Sequence, residues 1–197
     1  MKILVTGANG YLGQGIVKEL IRRNYEVVAV SLHTENIDEK ATVIQKDIFH
    51  LEEPFEELGS PDIMLHLAWR NGFSHQEISH IIDLPKHYCF IRKMIQGGLK
   101  QVAIMGSVHE IGFYEGSVDE NTPTAPLSLY GIAKDALRKS VELITKENNV
   151  IFQWIRGFYI VGNVEYGCSV FSQIAKAEKK GGGWNFHLQM VQINLTL

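Results

Sequence analysis

The sequence is short of cysteine and proline and has no surplus of either charge. Its two cysteines, Cys89 and Cys168, supply neither a disulfide framework nor a zinc cluster. Nineteen lysines and arginines against 22 acids leave a net charge of −3, so nucleic acid is not expected as a partner. The eight histidines are scattered without metal-ligand spacing, so no metal is expected. No apolar run approaches the roughly 20 residues that span a bilayer, and with a strand-like run starting at Lys2 no signal peptide is expected. No membrane partner is therefore expected, and the cytoplasm is the expected location. No internal repeat is visible, which sets repeat architectures aside.

What the chain does have is an ordinary globular composition and a regular alternation of elements. An apolar fraction of 45% over 197 residues suffices for one substantial core. Lys2 to Thr6 is an apolar, β-branched run, and Leu12, Ile16, Leu20 and Ile21 then recur at helical spacing. Further strands are expected at Tyr25–Ser31, Ala41–Gln45, Ile63–Ala68, Gln101–Gly106 and Val150–Arg156, with helical stretches between them. Such alternation predicts an α/β fold, a doubly wound parallel sheet covered on both faces in three layers. Pro85 reads as the start of a new helix that Gly97-Gly98 ends.

The first turn carries the strongest chemical signal. Gly7-Ala8-Asn9-Gly10-Tyr11-Leu12-Gly13 joins the first strand to the first helix. Gly7 can take a turn conformation closed to other residues, Gly10 leaves room for a pyrophosphate, and Gly13 lets helix approach strand. The free N–H groups of the helix then face the phosphates. A plain tight turn also uses glycine, but the flanking strand and helix favour a dinucleotide site.

With G-x-x-G-x-x-G spacing, a strand ending in Ser107 and Tyr130-Gly131-Ile132-Ala133-Lys134 downstream, residues 1 to about 162 resemble the extended short-chain dehydrogenase/reductases, the family of nucleotide-sugar epimerases and reductases. The resemblance implies a Rossmann domain over 1–162 that binds NAD or NADP, with Ser107, Tyr130 and Lys134 as the catalytic set, and with Tyr130 and Lys134 also at the cofactor, Lys134 on the nicotinamide ribose. Gly112, five residues past Ser107, matches the glycine that usually closes that segment. Asn9, Tyr11 and Leu12 join the three glycines around the cofactor. Asp47-Ile48 resembles the pair at the adenine, and His66-Leu67-Ala68, with Trp69 beside it, resembles the segment along the pyrophosphate and ribose. Arg156 to Gly162 resembles a segment that touches nicotinamide and substrate through Gly157, Tyr159 and Ile160, but Gly157 and Tyr159 replace the usual Pro and Asn. The second strand runs into Ser31-Leu32-His33 with neither an acid nor an arginine, which tips the expectation mildly to NADP, with Ser31 and His33 as contacts.

The residue types suit the implied chemistry. A phenol titrates near pH ~10 in water and needs its anion stabilised to act as a base. Lys134, one helical turn from Tyr130, shares its helix face and is expected to draw the phenol's pKa down. Tyr130 would then exchange a proton with a sugar hydroxyl or ketone, with Ser107 holding the same oxygen. The expected activity is an NAD(P)-dependent nucleotide-sugar epimerase or ketoreductase working at C4. Val108-His109 stands where the related dehydratases carry Asp-Glu, which disfavours dehydration. His109 and Glu110 read as solvated loop residues or as an extra acid or base. Residues 163–197 read as a shortened substrate lobe, which leaves a cofactor-binding sensor without turnover as the alternative. A homodimer is expected from family habit, with Leu137, Val141, Leu143 and Ile144 serving either that contact or the core.

Overall fold

The computed structural model describes residues 1–158 together with Ile160 and Lys176. The chain divides into two units, Met1–Gly157 and Phe158–Leu197. The expected contact at Tyr159 and most of the expected substrate-lobe segment lie outside the described residues.

The first unit is a six-stranded sheet of β1 (Lys2–Thr6), β2 (Glu26–Ser31), β3 (Thr42–Gln45), β4 (Ile63–His66), β5 (Gln101–Ser107) and β6 (Ile151–Gly157). The order is β3-β2-β1-β4-β5-β6, and every pairing is parallel. Four α-helices accompany it: α1 (Tyr11–Arg22), α2 (Pro54–Glu57), α3 (Ser79–Gly97) and α4 (Leu129–Glu147). The fold is the expected doubly wound α/β arrangement.

Alternation along the strands builds two cores. Leu4, Val28, Met64, Val102 and Ile104 face one way and meet Phe90, Ile91 and Met94 of α3 and Leu137 and Val141 of α4. Their neighbours Ile3, Val5, Val27, Ile63, Leu65 and Ala103 face the other way, against Val17 and Leu20 of α1. A strand buried on both faces has no polar side to show, which is why these runs are continuously apolar. Ile144 also belongs to the core, whereas Leu143 is exposed.

Pro85 departs from the sequence reading, because it lies inside α3 rather than at its start. The ring removes one backbone donor but sits on the exposed side, while His80, Asp83, His87, Phe90 and Met94 continue one buried face past it. Burial of that face overrides the local preference. Gly98, at φ 119° in the left-handed region, closes the helix as expected.

Because all strands are parallel, their carboxyl ends share one edge. The order reverses between β1 and β4, so the loops after these two strands diverge there and leave a crevice. Among the described residues no helix is long and apolar enough to cross a membrane.

Candidate active site

The glycine turn lies at the sheet's reversal point. Gly7 has φ 66°, and a Cβ on it would come within 2.8 Å of the Ala68 backbone nitrogen. A Cβ on Gly13 would stand 2.4 Å from the Gly7 carbonyl oxygen. Both positions admit only hydrogen, as the spacing implied. Thr6 Oγ1 accepts the N–H groups of Leu67 and Ala68, each at 3.2 Å, and so ties the end of β4 to β1.

These residues fit a dinucleotide. Helix α1 begins at Gly10, which has no side chain to cap it, so its first N–H groups are free for an anion. The Tyr11 hydroxyl on that first turn is buried without a hydrogen-bond partner, and Leu12 beside it is half-buried. Asn9 reaches across to the loop after β2, accepting the Asn36 N–H at 2.9 Å and donating to Glu35 Oε2 at 3.3 Å.

Beyond the end of β2, in the loop four residues past Ser31, the Glu35 carboxylate stands against Asn9 and 3.9 Å from His33. Asp47 caps a single 3-10 turn (Ile48–His50) through the Phe49 N–H at 3.0 Å, and Ile48 is buried behind it in the core. Ile160 belongs to the second unit.

The expected catalytic residues converge at β5 and α4. Gly157 pairs in register with Ser107 on the neighbouring strand. The Ser107 side chain accepts the His109 N–H at 3.2 Å, and it lies near enough to Tyr130 to lower the phenol's pKa. Gly131 permits the approach, since a Cβ there would lie 2.3 Å from the His109 carbonyl oxygen. Lys134, one turn further, is 3% exposed; its ammonium donates to the Met105 carbonyl at 2.7 Å and lies 3.9 Å from the Trp69 ring centre.

The electrostatics differ from the sequence expectation. Lys134 Nζ is 5.9 Å from the Tyr130 ring centre and is not among the groups that shift the phenol. Burial pushes Tyr130 above its ordinary value, opposed by Ser107. Burial also holds Lys134 down to about 7, opposed by the charge of Glu110. Glu110 is not solvated, because its side chain is fully buried.

The histidines are the feature the sequence reading missed. The Tyr130 ring lies among His80, His75, His109 and Trp69, with ring centres 5.1, 5.5, 5.7 and 6.0 Å away. Trp69 stacks on His87 at 4.3 Å, and its indole N–H donates to His80 Nδ1 at 3.0 Å. An indole only donates, so His80 Nδ1 is unprotonated and Nε2–H donates to the Ser74 carbonyl at 3.0 Å. Thr6 already accepts two N–H groups, so its proton goes to His66 Nδ1 at 2.8 Å, and His66 Nε2–H then donates to His87 Nδ1 at 2.9 Å. Among the described residues no three His, Cys, Asp or Glu side chains are arranged to hold a metal. A signal was available, since His80, Asp83 and His87 recur at the three- and four-residue steps of one helix face.

Residues 3–190 match the NAD dependent epimerase/dehydratase family. The chain is 38% identical over 186 residues to a dTDP-6-deoxy-L-talose 4-dehydrogenase (NAD(+)) of Aggregatibacter actinomycetemcomitans, covering 90% of this chain and 68% of that protein. Among solved structures it is similar to the UDP-glucose 4-epimerase of Thermotoga maritima with UDP-glucose, at 25% identity and TM-score 0.70 over 79% of this chain and 55% of that one. The UDP-glucuronic acid 4-epimerase of Bacillus cereus in complex with UDP-glucuronic acid and NAD shares the fold, with TM-score 0.75 at 20% identity over 91% of this chain and 63% of that one. The chain thus spans about half to two thirds of the length of these relatives.

Proposed function

Because the chain belongs to the NAD-dependent epimerase/dehydratase family, we propose that it carries out NAD-dependent hydride chemistry at C4 of a nucleotide-diphosphate sugar, with Tyr130 as the acid/base. The observation that carries the reading is the convergence of Ser107 at the end of β5 with Tyr130 and the buried Lys134 on one face of α4, where Lys134 Nζ donates to the Met105 carbonyl at 2.7 Å and Ser107 lowers the Tyr130 pKa.

A bound NAD would supply hydride chemistry at the sugar carbon, and the glycine turn and the N-terminus of α1 would hold its pyrophosphate. Tyr130 gives a proton to the sugar oxygen or takes one from it, and Ser107 fixes that oxygen by a hydrogen bond. Lys134, one helical turn from Tyr130 with its Nζ 5.9 Å from the phenol ring centre, is the cation nearest in sequence to favour the phenolate during proton exchange. Glu35 supports NAD over NADP, since its carboxylate beside Asn9 repels a 2′-phosphate. The NAD(+) in the name of the Aggregatibacter relative points the same way.

The test is turnover of a panel of dTDP- and UDP-sugars with NAD or NADH, preceded by calorimetric titration of both. Product with Tyr130 intact and none with Tyr130→Phe supports the proposal. NAD binding without product from any sugar favours the sensor alternative, and absence of binding overturns both.

A further inference from the structure

Glu110 is a buried acid three residues past Ser107, at the end of β5. Its side chain is 0% exposed. Oε1 accepts the Ser107 backbone N–H at 2.6 Å, and Oε2 accepts the Trp154 indole N–H at 2.8 Å. Arg156 Nε of β6 lies 3.5 Å from Oε2 and Arg138 Nε of α4 lies 4.0 Å from it. Both of those nitrogens are buried with no hydrogen-bond partner. Gly106 opens the space, since a Cβ there would stand 2.2 Å from Trp154 Nε1 and 2.7 Å from Glu110 Oε1. Strand β5, strand β6 and helix α4 thus meet on one carboxylate.

The bond to the Ser107 N–H completes a capping box on the single turn Val108–Glu110, but that role requires neither Trp154 nor two arginines. A buried ionic cluster is commonly matched or bettered by apolar residues of the same volume, so its stabilising value is weak. Its position is more telling. The carboxylate grips the backbone of Ser107, whose side chain lies near Tyr130, and its field reaches α4.

Taking the proposed function as the frame, we infer that Glu110 is a positioning residue: it holds the end of β5 so that Ser107 meets Tyr130, and it is the buried counter-charge of Lys134. The groups in contact with it are Ser107 on β5, Trp154 and Arg156 on β6 and Arg138 on α4, and its charge is felt at Tyr130 and Lys134 on α4. Its negative charge raises the pKa of Lys134 and that of Tyr130 alike, while burial pushes its own upward. Removing the charge therefore lowers both neighbours.

The experiment compares the wild type with Glu110→Gln and Glu110→Asp. The Lys134 ammonium is titrated by NMR without substrate, and kcat and KM are then followed against pH. Glu110→Gln is expected to lower the Lys134 midpoint by about one pH unit. Both limbs of the kcat profile move to lower pH, and kcat falls about tenfold at neutral pH with KM nearly unchanged. Glu110→Asp keeps the charge but draws back from Ser107, so the limbs return while kcat stays low. A folded Glu110→Gln protein with an unchanged Lys134 midpoint and unchanged limbs overturns the inference. If that variant does not fold, the wild-type Glu110 carboxyl carbon is read at pH 7: an ionised signal supports the inference and a protonated one overturns it. Because the Lys134 titration needs no substrate, failure to find any turnover removes the proposed function without deciding this point.

Discussion

The Lys134 ammonium is held between the face of Trp69, 3.9 Å from the ring centre, and the Met105 carbonyl at 2.7 Å. Trp69 is in turn fixed by His80 through its indole N–H and by His87 through stacking. The charge is thus caged by α3, β5 and the loop after β4. A π face and one carbonyl replace only part of the water that a lysine loses on burial, which is why burial lowers its pKa to about 7 from 10.5.

Lys134→Met is therefore expected to stabilise the fold while abolishing turnover. In the wild type the folded pKa lies below the unfolded one, so the unfolded state binds more protons between about pH 7 and 10.5. Wild-type stability rises with pH across that window. The advantage of the variant is then largest below pH 7, on the order of 1–2 kcal/mol after the lost Met105 bond, and it shrinks towards pH 10. Chemical denaturation at pH 6 and pH 10 measures it, and equal differences at the two pH values would refute the account.

Tyr130→Phe is expected to leave the ring packing among His75, His80 and His109 intact and to remove only the hydroxyl. Loss of the acid/base should lower kcat by roughly 10²–10⁴-fold. NAD affinity, read by calorimetry, should be retained, because the glycine turn lies on β1 and α1. A variant with near wild-type kcat would remove Tyr130 from the chemistry.

The fold was legible because its signals are local. β-Branched runs and a glycine turn place each of the six strands to within two residues, and Gly97-Gly98 marks the end of α3. The glycine turn and the Ser-Tyr-Lys set were legible for the same reason, as short motifs with fixed spacing. What stayed hidden depends on contacts distant in sequence. Glu35 meets the glycine turn only because Asn9 reaches 26 residues forward to it. Glu110 is buried by Trp154 and Arg156, whose strand joins the sheet more than 40 residues later. Pro85 sits within a helix because the buried face on either side of it outweighs one lost donor.

Glu35→Ser should change cofactor choice. The substitution removes a carboxylate that favours ribose hydroxyls and opposes a 2′-phosphate. The ratio of NAD to NADP affinity is expected to fall roughly tenfold, the scale of one charge-assisted hydrogen bond. Calorimetric titration of both cofactors into each protein decides it, and an unchanged ratio would assign discrimination elsewhere.

Acid should unfold the protein through the buried histidine pair. Burial, followed by the nearby Lys134 charge, lowers His66 to about 3, and burial also holds His87 well below its ordinary 6.5. Both are neutral in the folded state, as the chain from Thr6 through His66 to His87 requires. The unfolded chain binds their protons below about pH 6.5 and the folded chain does not, so this stability is complete above pH 6.5 and is lost as pH falls towards 3. Each group contributes a slope approaching 1.4 kcal/mol per pH unit between pH 6 and 5, where most carboxylates are still ionised. His87→Gln keeps an acceptor for the His66 N–H but does not titrate, so it should roughly halve the slope. Urea denaturation at pH 7, 6 and 5 gives both slopes, and an unaltered slope in the variant would show that His87 is charged in the folded protein.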